Sequence, residues 1–190
     1  MTQTSATLLE RLRDRRDGDA WGRLVRLYTP LIRAWLSRQL PQSADVDDLV
    51  QQVFAVVVEK LPTFEHAGRP GSFRAWLRGI SVNRLRMFWR SRPEVGGADP
   101  EPILQQLEDP HSELSQRWDR EHDQHVARQA LDLIEQEFQA TTWRAFRLLV
   151  LEDGRPEAVA AEVGLSVNAV FIAKSRVLRR LREEIAGFVP

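Results

Sequence analysis

Residues 156–182 read Pro156-Glu-Ala-Val-Ala-Ala-Glu-Val-Gly164-Leu-Ser166-Val-Asn-Ala-Val170-Phe-Ile-Ala-Lys174-Ser-Arg176-Val-Leu-Arg-Arg-Leu-Arg182, and this stretch decides the C-terminal fold. Proline suits the first turn of a helix, where its missing N–H costs nothing. The helix it opens ends at Gly164, which takes the left-handed conformation a tight turn needs. Leu165 then packs inward, and Ser166 caps a second helix that runs through Arg182. Ala160, before the glycine, is small enough to let two helices cross closely, and Val170, after it, faces the core. This spacing describes a helix-turn-helix, whose second helix enters the DNA major groove. A plain helical hairpin shares the proline and the glycine. It does not call for Lys174, Arg176, Arg179, Arg180 and Arg182 on the second helix, and these favour DNA. Asn168, Ala169 and Phe171 lie in the first turns, within reach of base edges. Lys174, Ser175 and Arg176 come a turn later and suit phosphates or flanking bases.

Outward from this motif the chain stays helical, with no run of apolar–polar alternation. A helix at Thr141–Leu151 stops at the Asp153-Gly154 turn, and another spans Glu113–Phe138. Residues 93–110 hold four prolines, two glycines and much of an acidic block, and read as an extended, flexible connector. Before it, a helix over Ser72–Ser91 is capped by Ser72, after a loop carrying Gly68, Pro70 and Gly71. A further helix opens with Asp45 as N-cap, has Asp47 and Asp48 in its first turn, and ends before Pro62. Val56 and Val58 fall off its main apolar stripe and point to a second buried face. The first long helix, Asp19–Gln39, contains Pro30, which should kink or split it. The expected fold is therefore all-α: a helical domain at 1–92, a flexible acidic linker at 93–116, and a helix-turn-helix domain at 117–190.

Formal net charge is zero, but the charges are sorted into blocks. Arg69–Arg92 has seven arginines and no acid, Pro93–Gln116 has six carboxylates and no lysine or arginine, and Phe171–Arg182 has five cations and no acid. Such sorting implies separate surfaces with separate partners. The Phe73–Arg92 helix mixes cations with aromatic rings and one amide, Asn83. With Trp76, Leu77, Ile80, Leu85 and Phe88 in the core, Arg74, Arg78, Arg84, Arg86, Arg90 and Arg92 line outer faces. Arginine beside exposed rings suits melted DNA, since bases stack on rings and phosphates pair with guanidinium groups. A solvated basic face over buried tryptophans is the plainer alternative.

Other classes of function find no support. With no cysteine in the chain there is no disulfide, thiolate chemistry or cysteine-held zinc. The carboxylates Asp45, Asp47 and Asp48 diverge around a helix and do not form a metal site. His122 and His125 have no third ligand and read as solvated surface residues. No phosphate loop and no nucleophile with a base is present, so we expect no enzyme, no cofactor and no small-molecule substrate. Apolar residues are 43 % of the chain, with no stretch long enough to span a membrane and none resembling a secretory signal; the expected location is cytoplasmic.

Asp45-Val-Asp-Asp-Leu-Val-Gln-Gln-Val-Phe54, Phe73-Arg-Ala-Trp-Leu77 and Ile80-Ser-Val-Asn-Arg84 together resemble region two of bacterial sigma factors. The C-terminal helix-turn-helix resembles region four. With no folded region between them, the chain is similar to the extracytoplasmic-function (ECF) group of the sigma family. The resemblance implies a dissociable subunit that gives RNA polymerase its promoter specificity. The helix from Asp45 to Leu61, with Asp45, Asp47, Asp48, Leu49, Gln52 and Phe54, would then dock on the beta-prime clamp helices of core polymerase. The loop from Phe64 to Ser72 and the next helix, with Phe64, Arg74, Trp76, Arg78, Asn83, Arg84, Arg86 and Arg90, would melt and read the minus-ten element. The connector would thread the polymerase toward its active site. Ser166, Asn168, Ala169, Phe171, Lys174, Ser175, Arg176 and Arg179 would read the minus-thirty-five element. The polymerase beta flap and an anti-sigma protein are the further partners implied. Family members carry Thr-Val-Lys-Ser-Arg early in the recognition helix, where this chain has Ala169-Val-Phe-Ile-Ala173 and places Lys174-Ser-Arg176 later. A stand-alone regulator of duplex operators is the competing reading, but it needs a dimerisation helix that the sequence does not offer.

Overall fold

The computed structural model describes residues 8–65, 71–92, 101–186 and 188. Among them run α1 (Leu8–Arg11), α2 (Gly18–Leu36), α3 (Ser43–Lys60), α4 (Ser72–Ser91), α5 (Glu101–Glu108), α6 (Glu113–Ile134), α7 (Ala140–Phe146), α8 (Pro156–Val163) and α9 (Val167–Glu184). No strand forms among the described residues, in keeping with an all-α fold. No single helix there is long and apolar enough to cross a membrane; α8 and α9 reach that composition only as a pair bent by 96°.

The chain divides into two compact units, Met1–Val126 with Ala186–Pro190, and Ala127–Ile185. In the first unit α2 is capped by Asp17, whose carboxylate accepts the Ala20 N–H at 2.9 Å. The helix runs through Pro30 unbroken. Pro30 is exposed, so the Arg26 carbonyl that loses its intrahelical partner can turn to water. Leu24, Tyr28, Ile32 and Leu36 recur along one stripe of α2 and are buried. Val46, Leu49, Val50, Val53 and Val57 of α3 and Phe73, Leu77 and Leu85 of α4 are likewise buried, with α3 packed against both α2 and α4. The second buried face of α3 is only half formed, for Val56 is buried and Val58 exposed. On α4, Trp76 and Phe88 are half-buried, whereas Trp89 is buried. Phe188 also belongs to this core, with its ring 5.0 Å from that of Phe73 and 5.9 Å from that of Tyr28.

The division falls elsewhere than composition suggests. Residues 93–100 of the expected connector lie outside the described residues. Residues 101–116 are not extended: α5 and the start of α6 pack into the first unit. Leu104 and Leu107, one turn apart, are buried, and the Ser115 hydroxyl bonds the Gln106 and Leu107 carbonyls, each at 3.1 Å. The prolines of this stretch do not prevent the turn. Pro102 sits in the first turn of α5 and Pro110 beyond its end, both positions where proline is tolerated.

The second unit is a small helical core. Ala145, Val159, Ala160, Val170 and Ala173 form one buried cluster, and Ile134, Phe146 and Val177 another. After α7 a π-type turn covers Arg147–Leu151, and the Gly154 N–H closes it by donating to the Leu148 carbonyl at 2.9 Å. A Cβ at residue 154 would lie 2.7 Å from that same oxygen, so glycine is required.

Candidate nucleic-acid interface

The helix-turn-helix forms as its residues dictate. Pro156 opens α8, and Gly164 ends it with a φ of +69°, the left-handed value that favours glycine. The Leu165 N–H donates to the Ala160 carbonyl at 3.0 Å, and the Ser166 hydroxyl accepts the Ala169 N–H at 3.1 Å, capping α9. Val170 and Ala160 are buried together, and Leu165 packs against their cluster. Of the residues expected to read DNA here, Ser166, Asn168, Phe171, Ser175, Arg176 and Arg179 are exposed, while Ala169 and Lys174 are half-buried. Ile172, missing from that set, is 44 % exposed. It was legible in principle, because it stands two residues from Val170 and so points away from the core side.

In the first unit the expected surfaces come out differently. On α3, Asp48 and Gln52 are exposed one turn apart and Phe54 is half-buried. Leu49 is fully buried. The N-cap of α3 is Gln42, not Asp45. Asp45 lies inside the first turn, buried, and accepts from Arg92 at 2.5 Å. Asp47 pairs with Arg33.

Three arginines expected on the outer face of α4 turn inward instead. Arg78 is only 6 % exposed and bonds Asp119 at 2.9 Å and the Ser115 carbonyl at 3.3 Å. Arg74 pairs with Asp119 at 3.3 Å and with Asp123. Arg86 meets Glu108 at 2.6 Å, which raises its own pKa and lowers that of Glu108. The reason is the packing of α5 and the first half of α6 over α4: a guanidinium so covered needs a carboxylate partner. Gly71, with a φ of +76°, begins α4, where Ser72 had been expected as the cap. The Arg74 guanidinium lies 3.0 Å from where a Cβ of residue 71 would stand. Asn83 and Arg90 remain exposed, and Arg84 is half-buried with the Met87 sulfur 3.7 Å away. Phe64, at the start of the Phe64–Ser72 loop, and Trp76 of α4 are half-buried, their rings 4.7 Å apart. Residues 66–70 of that loop lie outside the described residues.

The histidines of α6 are not surface groups. His122 is fully buried, with Nε2 3.1 Å from the Tyr28 hydroxyl and Nδ1 3.0 Å from the Asp123 carboxylate. Burial pushes its pKa down, and Asp123 pulls the other way without prevailing. Burial opposes ionisation of Asp123 too, yet bonds from His122 and Arg74 hold its carboxyl below the usual range. His125 bonds the Leu27 carbonyl at 2.6 Å. No three metal-ligating side chains cluster among the described residues.

Residues 24–93, the span holding most of α2, all of α3 and α4, match the sequence family described as sigma-70 region 2. The RNA polymerase sigma factor HrpL of Pseudomonas syringae pv. syringae is 27 % identical over 161 residues, covering 83 % of this chain and 83 % of that protein. Over residues 24–93, therefore, the chain is similar to sigma-70 region 2. In the chain this region-two match is followed by the helix-turn-helix unit. The two sets of DNA-facing candidates sit in separate units. Their cations differ in kind. Those of α4 are largely neutralised within their own unit, whereas Lys174, Arg176 and Arg179 form no ion pair among the described residues.

Proposed function

We propose that this chain acts as a dissociable sigma subunit, which joins core RNA polymerase and directs promoter recognition, strand opening and transcription initiation. One observation carries the reading: a region-two match over residues 24–93 stands before a helix-turn-helix whose second helix exposes Arg176 and Arg179 with no ion pair among the described residues. A duplex-binding regulator has no use for the first of these. Sigma factors are regulatory subunits, so the chain contributes binding energy and DNA distortion while the polymerase supplies the chemistry.

The exposed edge of α3, with Asp48, Gln52 and the half-buried Phe54, is the part proposed to meet the beta-prime clamp helices. Asp45 and Leu49 support that helix from within, and Asp47 is held by Arg33 at the surface. Opening of the minus-ten element falls to Asn83, Trp76, Phe64, Arg84 and Arg90, because Arg74, Arg78 and Arg86 are engaged by carboxylates of their own unit. Aromatic faces hold unpaired bases by stacking, and each stacked base contributes about 1–3 kcal/mol. On α9, Asn168 and Phe171 face bases, with Ser166, Ala169 and Ser175 beside them. Lys174, Arg176 and Arg179 hold phosphates. A surface of the second unit is left for the beta flap, and an anti-sigma protein would compete for the same faces. Run-off transcription with purified core polymerase, with and without this chain, tests the reading. Specific transcripts that depend on the chain are expected. Duplex binding without any such transcript would instead make it a stand-alone regulator.

A further inference from the structure

The core side of α9 is marked by Val170, Ala173 and Val177, all buried. A helix turns about 100° per residue, so the direction opposite these three runs through Asn168, Ser175 and Arg179, with Phe171 and Ile172 flanking it on either side. Ile172 and Phe171 thus both stand on the outward face of the second helix, 44 % and 45 % exposed. A lone exposed hydrophobe calls for no explanation. Two adjacent large ones on the outward face of an otherwise charged helix do. Arg176 and Arg179 follow within two turns, exposed and without an ion pair among the described residues. Arg180, on another face, is committed to Glu137 and Glu184. The helix therefore offers an apolar tip and a cationic shaft.

Duplex DNA has the complementary arrangement. Phosphates line the groove walls, and the one apolar group on the major-groove edge of the bases is the C5-methyl of thymine. Where family members place Lys, Ser and Arg, this chain has Phe171, Ile172 and Ala173. We infer that Ile172, flanked by Phe171, is a specificity-determining residue that packs on thymine methyl groups of the upstream promoter element. The inference rests on the sigma reading above and adds the chemistry of the sequence that is read. Spacing sharpens it. Asn168 and Ile172 are four residues apart, about 6 Å along the helix, close to two base-pair steps. Asparagine pairs with adenine through two hydrogen bonds. The element should therefore hold an adenine under Asn168 and a thymine about two base pairs away under Ile172.

The test uses the full chain bound to core RNA polymerase. Double-stranded fragments retained from a random-sequence library define the element. Each thymine in it is then replaced singly by deoxyuridine, which lacks the methyl and keeps every hydrogen bond. At one or two positions the wild-type complex should weaken about fourfold, the worth of one buried methyl-sized group. Ile172→Ala should already be weaker on the thymine duplex and lose nothing more with deoxyuridine at the same positions, while Ile172→Val keeps part of the methyl dependence. Wild type indifferent to every replacement, or equal losses in wild type and Ile172→Ala, overturns the inference and leaves the sigma reading standing. So does an Ile172→Ala variant that reads the DNA normally but loses core enzyme, which would make the apolar tip a protein contact. A library that yields no enriched sequence brings down the sigma reading itself, and this inference with it.

Discussion

Replacing Asp119 by leucine isolates the ion pair that most separates this structure from the reading of its sequence. The side chain of Arg78 is 8 % exposed and that of Asp119 is 25 % exposed. Removing one member of a buried pair costs about 3–5 kcal/mol, because the other is left as an uncompensated buried charge. Here the Ser115 carbonyl still accepts from Arg78, and Asp119 is partly in water, so about 2–3 kcal/mol is the better figure. Arg78→Met together with Asp119→Leu should recover most of the loss, since an apolar pair of similar volume needs no partner. Urea unfolding followed by tryptophan fluorescence reads this directly. Of the six tryptophans, Trp21, Trp35, Trp76, Trp89 and Trp118 lie in the first unit and Trp143 in the second. Trp35 and Trp118 meet edge to face at 5.0 Å, so the signal reports the docking of α6 on α2. With an m-value of about 2 kcal/mol per molar, Asp119→Leu should move the midpoint down by about 1 M. A shift under about 0.3 M, or a double variant no more stable than the single, would refute the claim that Arg78 depends on this carboxylate.

Three further outcomes are expected. His122 is buried with its pKa held below the ordinary 6.5, so the unfolded chain binds a proton that the folded chain resists. The stability from its neutral form is present above that value and lost as pH falls below it. The thermal midpoint of the wild type should therefore drop more steeply between about pH 7 and pH 5.5 than that of His122→Gln; equal slopes would exclude His122 as the titrating group. Asp48→Arg with Gln52→Arg should weaken pull-down of core polymerase while leaving the helical circular dichroism unchanged, and full retention would remove α3 from the contact. Asn83→Ala should reduce permanganate reactivity of minus-ten thymines more than it reduces closed-complex formation, whereas equal losses would point to a basic face that merely holds duplex.

Where structure is decided within a turn or two, the chain alone is enough. Pro156, Gly164 and Ser166 each act on the backbone next to them, so the helix-turn-helix, its cap and its core-facing Val170 could be read from the sequence. Helical periodicity likewise settled the all-α class. The fate of the arginine helix is a different matter. Arg74 and Arg78 find their carboxylates 49 and 41 residues further along the chain, and no local pattern announces which residues a helix face will meet once another helix covers it. The buried His122 and the turn that puts Leu104 and Leu107 into the core follow from the same packing. Outer faces are outer only until the tertiary fold decides what lies on them, and here the folding of α5 and α6 onto the first unit turned an apparent DNA-binding row into an internal charge network.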